Sequence, residues 1–187
     1  MRHVGVLALQ GDYAAHEAAL VRAGAEGFEV RTLDDLDAVD ALIIPGGEST
    51  VMGSLLQRFG MMDALVARIR DGMPVFGTCA GLILLAARID GREQPGVRML
   101  DVTVRRNAYG RQIDSFRSTV ATKVPGAESL EAVFIRAPKI TENGPGVEVL
   151  SEHLGDPILV RQGRIVGATF HPELVEGASI HRWFLSL

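Results

Sequence analysis

The chain has 187 residues, of which 47% are hydrophobic and 22% are charged, and its formal net charge is -4 at pH 7. This length predicts one domain, residues 1-187, with a sizeable buried core. The acidic balance excludes a basic footprint for nucleic acid, and no apolar run approaches the roughly 18 residues that cross a membrane. The single cysteine excludes an internal disulfide framework. Together with the lack of a signal-peptide pattern after Met1, it predicts a cytoplasmic protein.

Alternating strands and helices are predicted for the first part of the chain. Val4–Leu9 is too continuously apolar to alternate and predicts a buried strand, after which Asp12 is a candidate N-cap of a helix that ends near Gly24. Phe28–Leu33 and Ala41–Ile44 predict two more strands, separated by an acidic turn. Strands and helices in this order favour a parallel sheet that is covered on both faces.

A Gly-Gly pair follows the third strand, in the stretch Pro45-Gly46-Gly47-Glu48-Ser49-Thr50. Two glycines at the carboxyl end of a strand suit a phosphate cradle, although the G-K-[ST] ending of a P-loop is missing. Alternatively, a peptide N–H near Gly47 stabilises an oxyanion, since glycine permits the backbone angles that such a donor needs. An ordinary loop is the third alternative. Helical patterns follow at Val51–Arg58 and Met62–Arg70.

The motif that organises the chain is Pro74-Val75-Phe76-Gly77-Thr78-Cys79-Ala80-Gly81, followed by the apolar run Leu82–Ala87. It has the G-x-S-x-G pattern of a nucleophile elbow, with cysteine in place of serine. Such a strained strand-to-helix turn exposes its central side chain, and the helix N-terminus favours a thiolate. The N–H of Ala80 is then placed to hold an oxyanion. The alternative is that Cys79 is a small buried hydrophobic residue.

Strand patterns dominate the second half of the chain, and one arginine-rich loop interrupts them. Arg106 opens that loop, which is either an ordinary solvated surface or a ligand-binding segment. The predicted strands are Met99–Arg105, Arg117–Lys123, Val133–Ile135, Ile158–Arg161 and Ile165–Phe170, and a last helix is predicted at Ala178–Leu185.

A candidate base for Cys79 lies in Phe170-His171-Pro172-Glu173. Residues i and i+2 of an extended segment project to the same side, so His171 and Glu173 are predicted to meet. Pro172 denies His171 the helical region and favours the extended conformation. A carboxylate beside an imidazole fixes its tautomer and stabilises the imidazolium. Cys79, His171 and Glu173 therefore have the residue types of a nucleophile, a base and an orienting group.

The elbow and the His-Pro-Glu segment together resemble the class I glutamine amidotransferases. Four further stretches are similar to the glutaminase subunits of pyridoxal-phosphate synthase, and this resemblance covers nearly the whole chain. These stretches are Gly5-Val6-Leu7-Ala8-Leu9-Gln10-Gly11, Pro45-Gly46-Gly47-Glu48-Ser49-Thr50, Arg106-Asn107-Ala108-Tyr109-Gly110-Arg111-Gln112 and Phe134-Ile135-Arg136-Ala137-Pro138.

The resemblance implies a flavodoxin-like α/β fold, with a mostly parallel central sheet and helices on both faces. It implies hydrolysis of L-glutamine to glutamate and ammonia through a Cys-His-Glu triad and a cysteinyl thioester, with no cofactor and no metal. A separate synthase subunit then uses the ammonia to make pyridoxal 5'-phosphate from ribose 5-phosphate and glyceraldehyde 3-phosphate. The implied catalytic residues are Cys79, His171 and Glu173, the oxyanion donors are Gly47 and Ala80, and the glutamine pocket comprises Gly47, Glu48, Ser49, Arg106, Ile135 and Arg136.

Three other interpretations remain open. A glutaminase of another pathway, such as imidazole glycerol phosphate synthesis, keeps the triad but lacks the Gly-Gly-Glu-Ser stretch. Many cysteine hydrolases of the same sheet topology have histidine directly after the nucleophile, where this chain has Ala80. A regulatory subunit without catalysis would not need the intact triad. A Schiff-base mechanism is disfavoured, because the only lysines, Lys123 and Lys139, lie outside these motifs.

Overall fold

A computed structural model describes residues 3–91, 93–106 and 115–187 of the chain. The first part alternates strands with helices in the way the sequence predicts. Its elements are β1 (Val4–Leu7), α1 (Tyr13–Arg22), β2 (Gly27–Val30), α2 (Leu33–Asp37), β3 (Ala41–Ile44), α3 (Ser49–Arg58), α4 (Met61–Arg70), β4 (Val75–Thr78) and α5 (Ala80–Leu85).

The second part is mostly strand, as its alternating pattern predicts. Its elements are β5 (Ala86–Ile89), β6 (Leu100–Arg105), β7 (Ser115–Ala121), β8 (Ser129–Ile135), β9 (Lys139–Asn143), β10 (Glu148–His153), β11 (Asp156–Gln162), β12 (Ile165–Ala168), a 3-10 turn (Pro172–Leu174) and α6 (Ser179–Phe184). The sequence pattern does not predict β9 or β10. In the described part of the chain, no helix has the length and hydropathy of a membrane span.

Seven strands form the central sheet in the order β10-β11-β12-β4-β3-β1-β2. The strands from β12 to β2 pair in parallel, and β10 and β11 extend one edge in antiparallel pairing. The smaller sheets are β5-β6-β9 and the hairpin-like pair β7-β8. The predicted fold class, an α/β protein with a mostly parallel central sheet, is confirmed.

The central sheet is buried on both faces, and β3 shows why its sequence does not alternate. Leu42 and Ile44 of β3 pack into a core with helices α3, α4 and α5, whereas Ala41 and Ile43 pack into a second core with α1 and α6. Since successive side chains of a strand point to opposite faces, every position of β3 must be apolar.

The acidic stretch after β2 is a short helix, not the predicted turn. Thr32 accepts a hydrogen bond from the N–H of Asp35 at 3.2 Å, and the Asp35 carboxylate accepts one from the N–H of Thr32 at 2.9 Å. This reciprocal capping box starts α2 at Leu33 and ends the predicted strand early, at Val30.

Asp12 is the N-cap residue of α1, as predicted, but its side chain makes no cap hydrogen bond. Its N–H donates to the carbonyl oxygen of Gly46 at 3.1 Å, so its backbone joins the helix start to the Gly-Gly loop. The helix after the elbow ends at Leu85, because Ala86 already pairs with Leu100 of β6 and begins a strand.

Close packing of the elbow against β3 explains its second glycine. A Cβ at Gly81 would collide with the carbonyl oxygen of Ile44, the last residue of β3. This carbonyl belongs to the backbone of a central strand, so it cannot move aside without distorting the sheet. Glycine at this position therefore lets α5 pack directly on the sheet.

We predict that Gly81→Ala lowers the free energy of unfolding by about 1–3 kcal/mol, the usual cost of overpacking. Gly146→Ala is the matched control, because a Cβ at Gly146 meets nothing within 4 Å. The control should change the free energy by less than about 0.5 kcal/mol. Urea unfolding followed by circular dichroism measures both. Equal midpoints for the two variants would contradict the proposed close approach.

Candidate active site

Three neighbouring parallel strands end at the same edge of the sheet, and each is followed by a predicted site residue. Gly46 and Gly47 follow β3, Cys79 follows β4, and His171 lies three residues after β12. The order β3-β4-β12 places the cysteine in the middle. In parallel sheets, ligands bind in a crevice at the carboxyl ends of the strands.

Cys79 occupies a strained elbow between β4 and α5. Its backbone angles are φ 49° and ψ -100°, a combination that side chains rarely adopt. Its N–H donates to the carbonyl of Ala168 at 2.9 Å, and its Sγ lies 3.9 Å from the carbonyl oxygen of Ile135. The side chain has little exposure, 9%, but it lines a cavity. The elbow therefore places the thiol at the carboxyl edge of the sheet, but Cys79 is buried there and reaches only the cavity, whereas the sequence predicts an exposed side chain.

His171 and Glu173 are in direct contact. Nδ1 of His171 lies 2.7 Å from Oε1 of Glu173. The segment is not extended as predicted, however, because Pro172 begins a 3-10 turn that includes Glu173. Proline suits the first position of a helical turn, where its missing N–H costs nothing. Only His171 itself keeps a non-helical conformation, with φ -109° and ψ 86°.

Two backbone contacts fix this turn in place. The N–H of His171 donates to the carbonyl of Val133 in β8 at 2.8 Å. The guanidinium of Arg22, at the end of α1, donates to the carbonyl of Glu173 at 2.9 Å. The His-Glu pair is thus held between α1 and β8.

Electrostatic interactions favour the protonated form of His171 and the ionised form of Glu173. Burial lowers its pKa, but hydrogen bonds to Cys79 and Glu173 and the charges of both groups raise the pKa of His171 to about 10. Burial raises the pKa of Glu173, yet the neighbouring imidazoles of His16 and His171 bring the pKa of that carboxyl below its ordinary value. The site therefore supports an imidazolium at His171 beside the carboxylate of Glu173.

The Gly-Gly loop packs directly against the triad. A Cβ at Gly46 would lie 2.5 Å from Cε1 of His171. Gly47 has φ 152°, which a non-glycine residue rarely adopts. The N–H of Glu48 donates to Oε1 of Gln10 at 2.7 Å, which fixes the peptide between Gly47 and Glu48. Both glycines are therefore required for the shape of this part of the site.

A polar cluster forms the far side of the site. Nη2 of Arg106 lies 2.8 Å from Oε1 of Glu48, and Nη1 donates to Oγ1 of Thr50 at 3.0 Å and to Oε1 of Gln94 at 2.9 Å. Burial raises the pKa of Glu48, but the N–H groups of Val51 and Thr50 and the Arg106 guanidinium lower the pKa below its ordinary value. Arg106 is thus an ordered part of the site, not a solvated surface residue.

One cavity of about 360 Å³ brings together nine of the ten predicted site residues. The tenth, Glu173, is 3% exposed and lies behind His171. β8 ends at the cavity with Ile135, and Arg136 follows it with φ 43°. The lining residues are Gln10, Gly47, Glu48, Ser49, Cys79, Ala80, Ile83, Arg106, Ile135, Arg136 and His171. Among the described residues, no group of three or more His, Cys, Asp or Glu is arranged to hold a metal ion.

Sequence reasoning gave no role to Gln10, Gln94 or His16. Gln10 lies in the motif that runs from Gly5 to Gly11, so the sequence did mark this position. Its side chain accepts a hydrogen bond from the N–H of Glu48. Gln94 lies in a Gly- and Pro-containing segment and is nonetheless 5% exposed, which no local pattern indicates. The predicted motif that continues from Arg106, residues 107–112, lies outside the described residues.

Comparison with known proteins gives the family. Residues 6–187 match the family described as the SNO glutamine amidotransferase family. The chain belongs to this family. This confirms the resemblance inferred from the elbow, the His-Pro-Glu segment and the four further stretches.

Relatives of this amidotransferase match it over nearly its full length. It is 50% identical over 184 residues to the pyridoxal 5'-phosphate synthase subunit PdxT of Thermotoga neapolitana, with 98% of both chains covered. It is 51% identical over 189 residues to the subunit of that name of Mycolicibacterium vanbaalenii, with 98% and 96% covered. A crystal structure of a glutamine amidotransferase superposes with a TM-score of 0.94 at 48% identity and covers 98% of this chain and 97% of that one.

We predict that the imidazole of His171 titrates near pH 10 in the folded amidotransferase, because its two anionic neighbours outweigh burial. Cys79→Ala and Glu173→Gln each remove one of these neighbours and should lower the titration midpoint by at least about one unit. Carbon-13 NMR of labelled histidine Cε1 measures the midpoint. The signal of exposed His3 is the internal control and should not respond to either substitution. A wild-type midpoint below about 7 would contradict the ion pair.

Proposed function

We propose that this chain is the glutaminase subunit of a pyridoxal 5'-phosphate synthase and that Cys79, His171 and Glu173 are its catalytic triad. The observation that carries the proposal is the cavity in which the nucleophile, the histidine and two arginines meet at the carboxyl ends of adjacent strands. The full-length similarity to subunits named PdxT supports the choice of pathway.

In the first half of the reaction, the Cys79 thiolate attacks the side-chain amide carbon of glutamine. The carbonyl oxygen becomes an oxyanion, for which the N–H groups of Gly47 and Ala80 are the proposed donors. The His171 imidazolium then gives its proton to the amide nitrogen, and the C–N bond breaks to release ammonia and leave a thioester. The hydrogen bond that Nδ1–H of His171 donates to Glu173 keeps the imidazole in the tautomer that this transfer needs.

In the second half, a water molecule enters the place that ammonia has left. His171, now neutral, takes a proton from this water as hydroxide adds to the thioester carbon. The tetrahedral intermediate expels the Cys79 thiolate, and glutamate leaves. The imidazolium and the thiolate are restored, so both halves use the same ion pair.

The polar cluster suits the amino-acid end of glutamine. Free glutamine carries an α-ammonium and an α-carboxylate, which need hydrogen-bond acceptors and a cation. The carboxylate of Glu48 and the carbonyl of Ile135 are the proposed acceptors, and the guanidinium groups of Arg106 and Arg136 are the proposed cations. Ser49 completes the lining at the start of α3.

The proposed partner is the synthase subunit, which receives ammonia and makes the pyridoxal ring. We infer that it docks at the carboxyl edge of the sheet, since the cavity opens there and ammonia in bulk water at neutral pH is mostly protonated and unreactive. A partner bound at this edge would also contact the Gly-Gly loop, and this contact can orient the N–H of Gly47 toward the oxyanion.

The proposal predicts that Cys79→Ala abolishes glutamine-dependent formation of pyridoxal 5'-phosphate while leaving ammonium-dependent formation intact. The variant loses the nucleophile, but the synthase subunit keeps its own chemistry. The assay mixes either chain with the synthase subunit, ribose 5-phosphate and glyceraldehyde 3-phosphate, and follows product absorbance with glutamine or an ammonium salt as the nitrogen source. Glutamine-dependent synthesis near the wild-type rate in Cys79→Ala would refute the mechanism.

We further predict that Arg106→Ala raises KM for glutamine by about one to two decades, since one charge-assisted hydrogen bond is worth about 1.5–3 kcal/mol. Arg105→Ala is the matched control, because the adjacent guanidinium is exposed and pairs with Asp90 outside the cavity. Steady-state glutaminase kinetics in the presence of the synthase subunit measure both. If the two variants shared the wild-type KM, Arg106 would have no part in substrate binding.

A further inference from the structure

A second group of polar side chains lies behind the triad, and the catalytic steps above do not use it. His16 on α1 and His181 on α6 are both 0% exposed. Nδ1 of His16 lies 3.0 Å from Nε2 of His181. Nε2 of His16 lies 3.0 Å from Oγ1 of Thr78 and 3.4 Å from Oε2 of Glu173. We call His16, His181 and Thr78 the inner cluster.

The contacts decide which ring nitrogens of the inner cluster carry protons. An unprotonated Nε2 on His16 would place its lone pair 3.4 Å from the Glu173 carboxylate and repel it, whereas an N–H there attracts it. With the proton on Nε2, Nδ1 of His16 must accept, so Nε2 of His181 donates to it. This assignment leaves Nδ1 of His181, which has no hydrogen-bond partner among the described residues, as a bare acceptor.

Both histidines of the inner cluster are neutral at neutral pH. Burial lowers the pKa of His16, and the charge of Glu173 opposes this only in part. Burial lowers the pKa of His181 to about 3. The other groups that act on the pair are His171 and Asp12 on His16, and His16, Glu173 and Arg22 on His181. A neutral ring keeps a fixed tautomer, which an imidazolium does not have.

We propose that His16 is a positioning residue of the triad, whose Nε2–H lies close enough to the second oxygen of Glu173 to attract it and thereby restrains the carboxylate that orients His171. The proposal rests on the proposed function and adds a residue to it. Glu173 has two oxygens, and Oε1 already contacts His171 at 2.7 Å. Oε2 has no hydrogen bond of standard geometry among the described residues, and Nε2 of His16, whose hydrogen bond goes to Thr78, lies 3.4 Å from it. Rotation of the carboxylate would break the contact to His171, and the charge–dipole attraction to His16 opposes that rotation.

The same N–H also connects the two halves of the site. Thr78, its nearer partner, is the last residue of β4 and directly precedes Cys79. Glu173 lies in the 3-10 turn that follows β12. His16 thus touches the segment that carries the nucleophile and the segment that carries the orienting group. A shift of His16 therefore changes the geometry between Cys79 and His171, and misplacement by about 1 Å can cost roughly 100-fold in rate.

The chain's single cysteine allows a direct test, because iodoacetamide alkylation then reports on Cys79 alone. The rate of alkylation of the full chain is measured against pH for wild type, His16→Leu and His16→Gln. Leucine fills the space without an N–H, whereas the amide of glutamine restores a donor near the Nε2 position. Leu20→Ala, a fully buried change one turn further along α1, controls for loss of stability alone. kcat and KM for glutamine are measured with the synthase subunit.

In His16→Leu we expect the acid-side midpoint of alkylation to move up by about one pH unit, which is a roughly tenfold loss of rate at a fixed acidic pH. The reason is that a displaced Glu173 no longer supports the His171 imidazolium beside the thiolate. We expect kcat to fall roughly 10- to 100-fold with KM within about twofold of wild type. His16→Gln should recover most of both losses, and Leu20→Ala should change neither the midpoint nor kcat.

If His16→Leu does not fold, His181→Phe replaces it, because it removes the donor that fixes the tautomer of His16 and fills the same volume. The proposal is overturned if the folded variant keeps the wild-type alkylation profile and kcat, or if Leu20→Ala shifts them equally. Failure of the proposed function is a separate result. In that case wild type with the synthase subunit hydrolyses no glutamine, while the alkylation profiles still decide the role of His16.

Discussion

Cys79 holds a backbone conformation that costs of order 1–3 kcal/mol and persists only where its surroundings impose it. Two close contacts impose this conformation. Helix α5 packs directly on β3, which requires glycine at position 81 because the carbonyl of Ile44 lies against it. Strand β4 in turn passes close to the start of the same helix at Gly77. A Cβ at either glycine would meet backbone atoms. The position of the thiol, the first N–H groups of α5 and the neighbouring Gly-Gly loop all follow from this one close approach. The site is therefore tied to the most rigid part of the sheet.

A buried carboxylate is the second constraint, since an uncompensated charge in the interior costs several kcal/mol. Glu173 is 3% exposed, and its compensation comes from His171 on one oxygen and His16 near the other. The low dielectric of these surroundings raises the free-energy cost of burying the carboxylate, and it also strengthens the attraction between the carboxylate and the imidazolium. Arg22 adds a fixed contact to the backbone of Glu173, so the carboxylate has little freedom to move toward water. The burial of Glu173 and its contact with His171 thus depend on the same surroundings.

Much of the fold and of the cavity can be predicted from the sequence, because the strands at the site are short and mostly apolar, and a glycine, cysteine or histidine follows each of them within three residues. What the sequence could not give are contacts between segments that lie far apart in the chain. The contact between His16 and His181 spans 165 positions, and only the meeting of α1 with α6 creates it. The conformation of Pro172 was mispredicted for another reason: a proline suits both an extended segment and the first position of a helical turn. The neighbouring residues in the sequence do not distinguish the two conformations. The hydrogen bonds to the carbonyl of Val133 and from the guanidinium of Arg22 hold the segment in the helical turn.

The distribution of lysines explains why a glutaminase of this kind needs a second chain. Building a pyridoxal ring from sugar phosphates requires carbonyl chemistry, for which a desolvated lysine amine is the usual nucleophile. Lys123 donates to the carbonyl of Val149 at 3.0 Å, and Lys139 pairs with Asp156 at 2.8 Å. Neither lines the cavity that contains Cys79. A lysine amine engaged in such a contact is a poor nucleophile, so under the proposed function the cavity would release ammonia but not use it. The proposed acceptor therefore belongs to another chain that meets the cavity where the strands end, since ammonia that escapes there would be protonated and lost to the reaction.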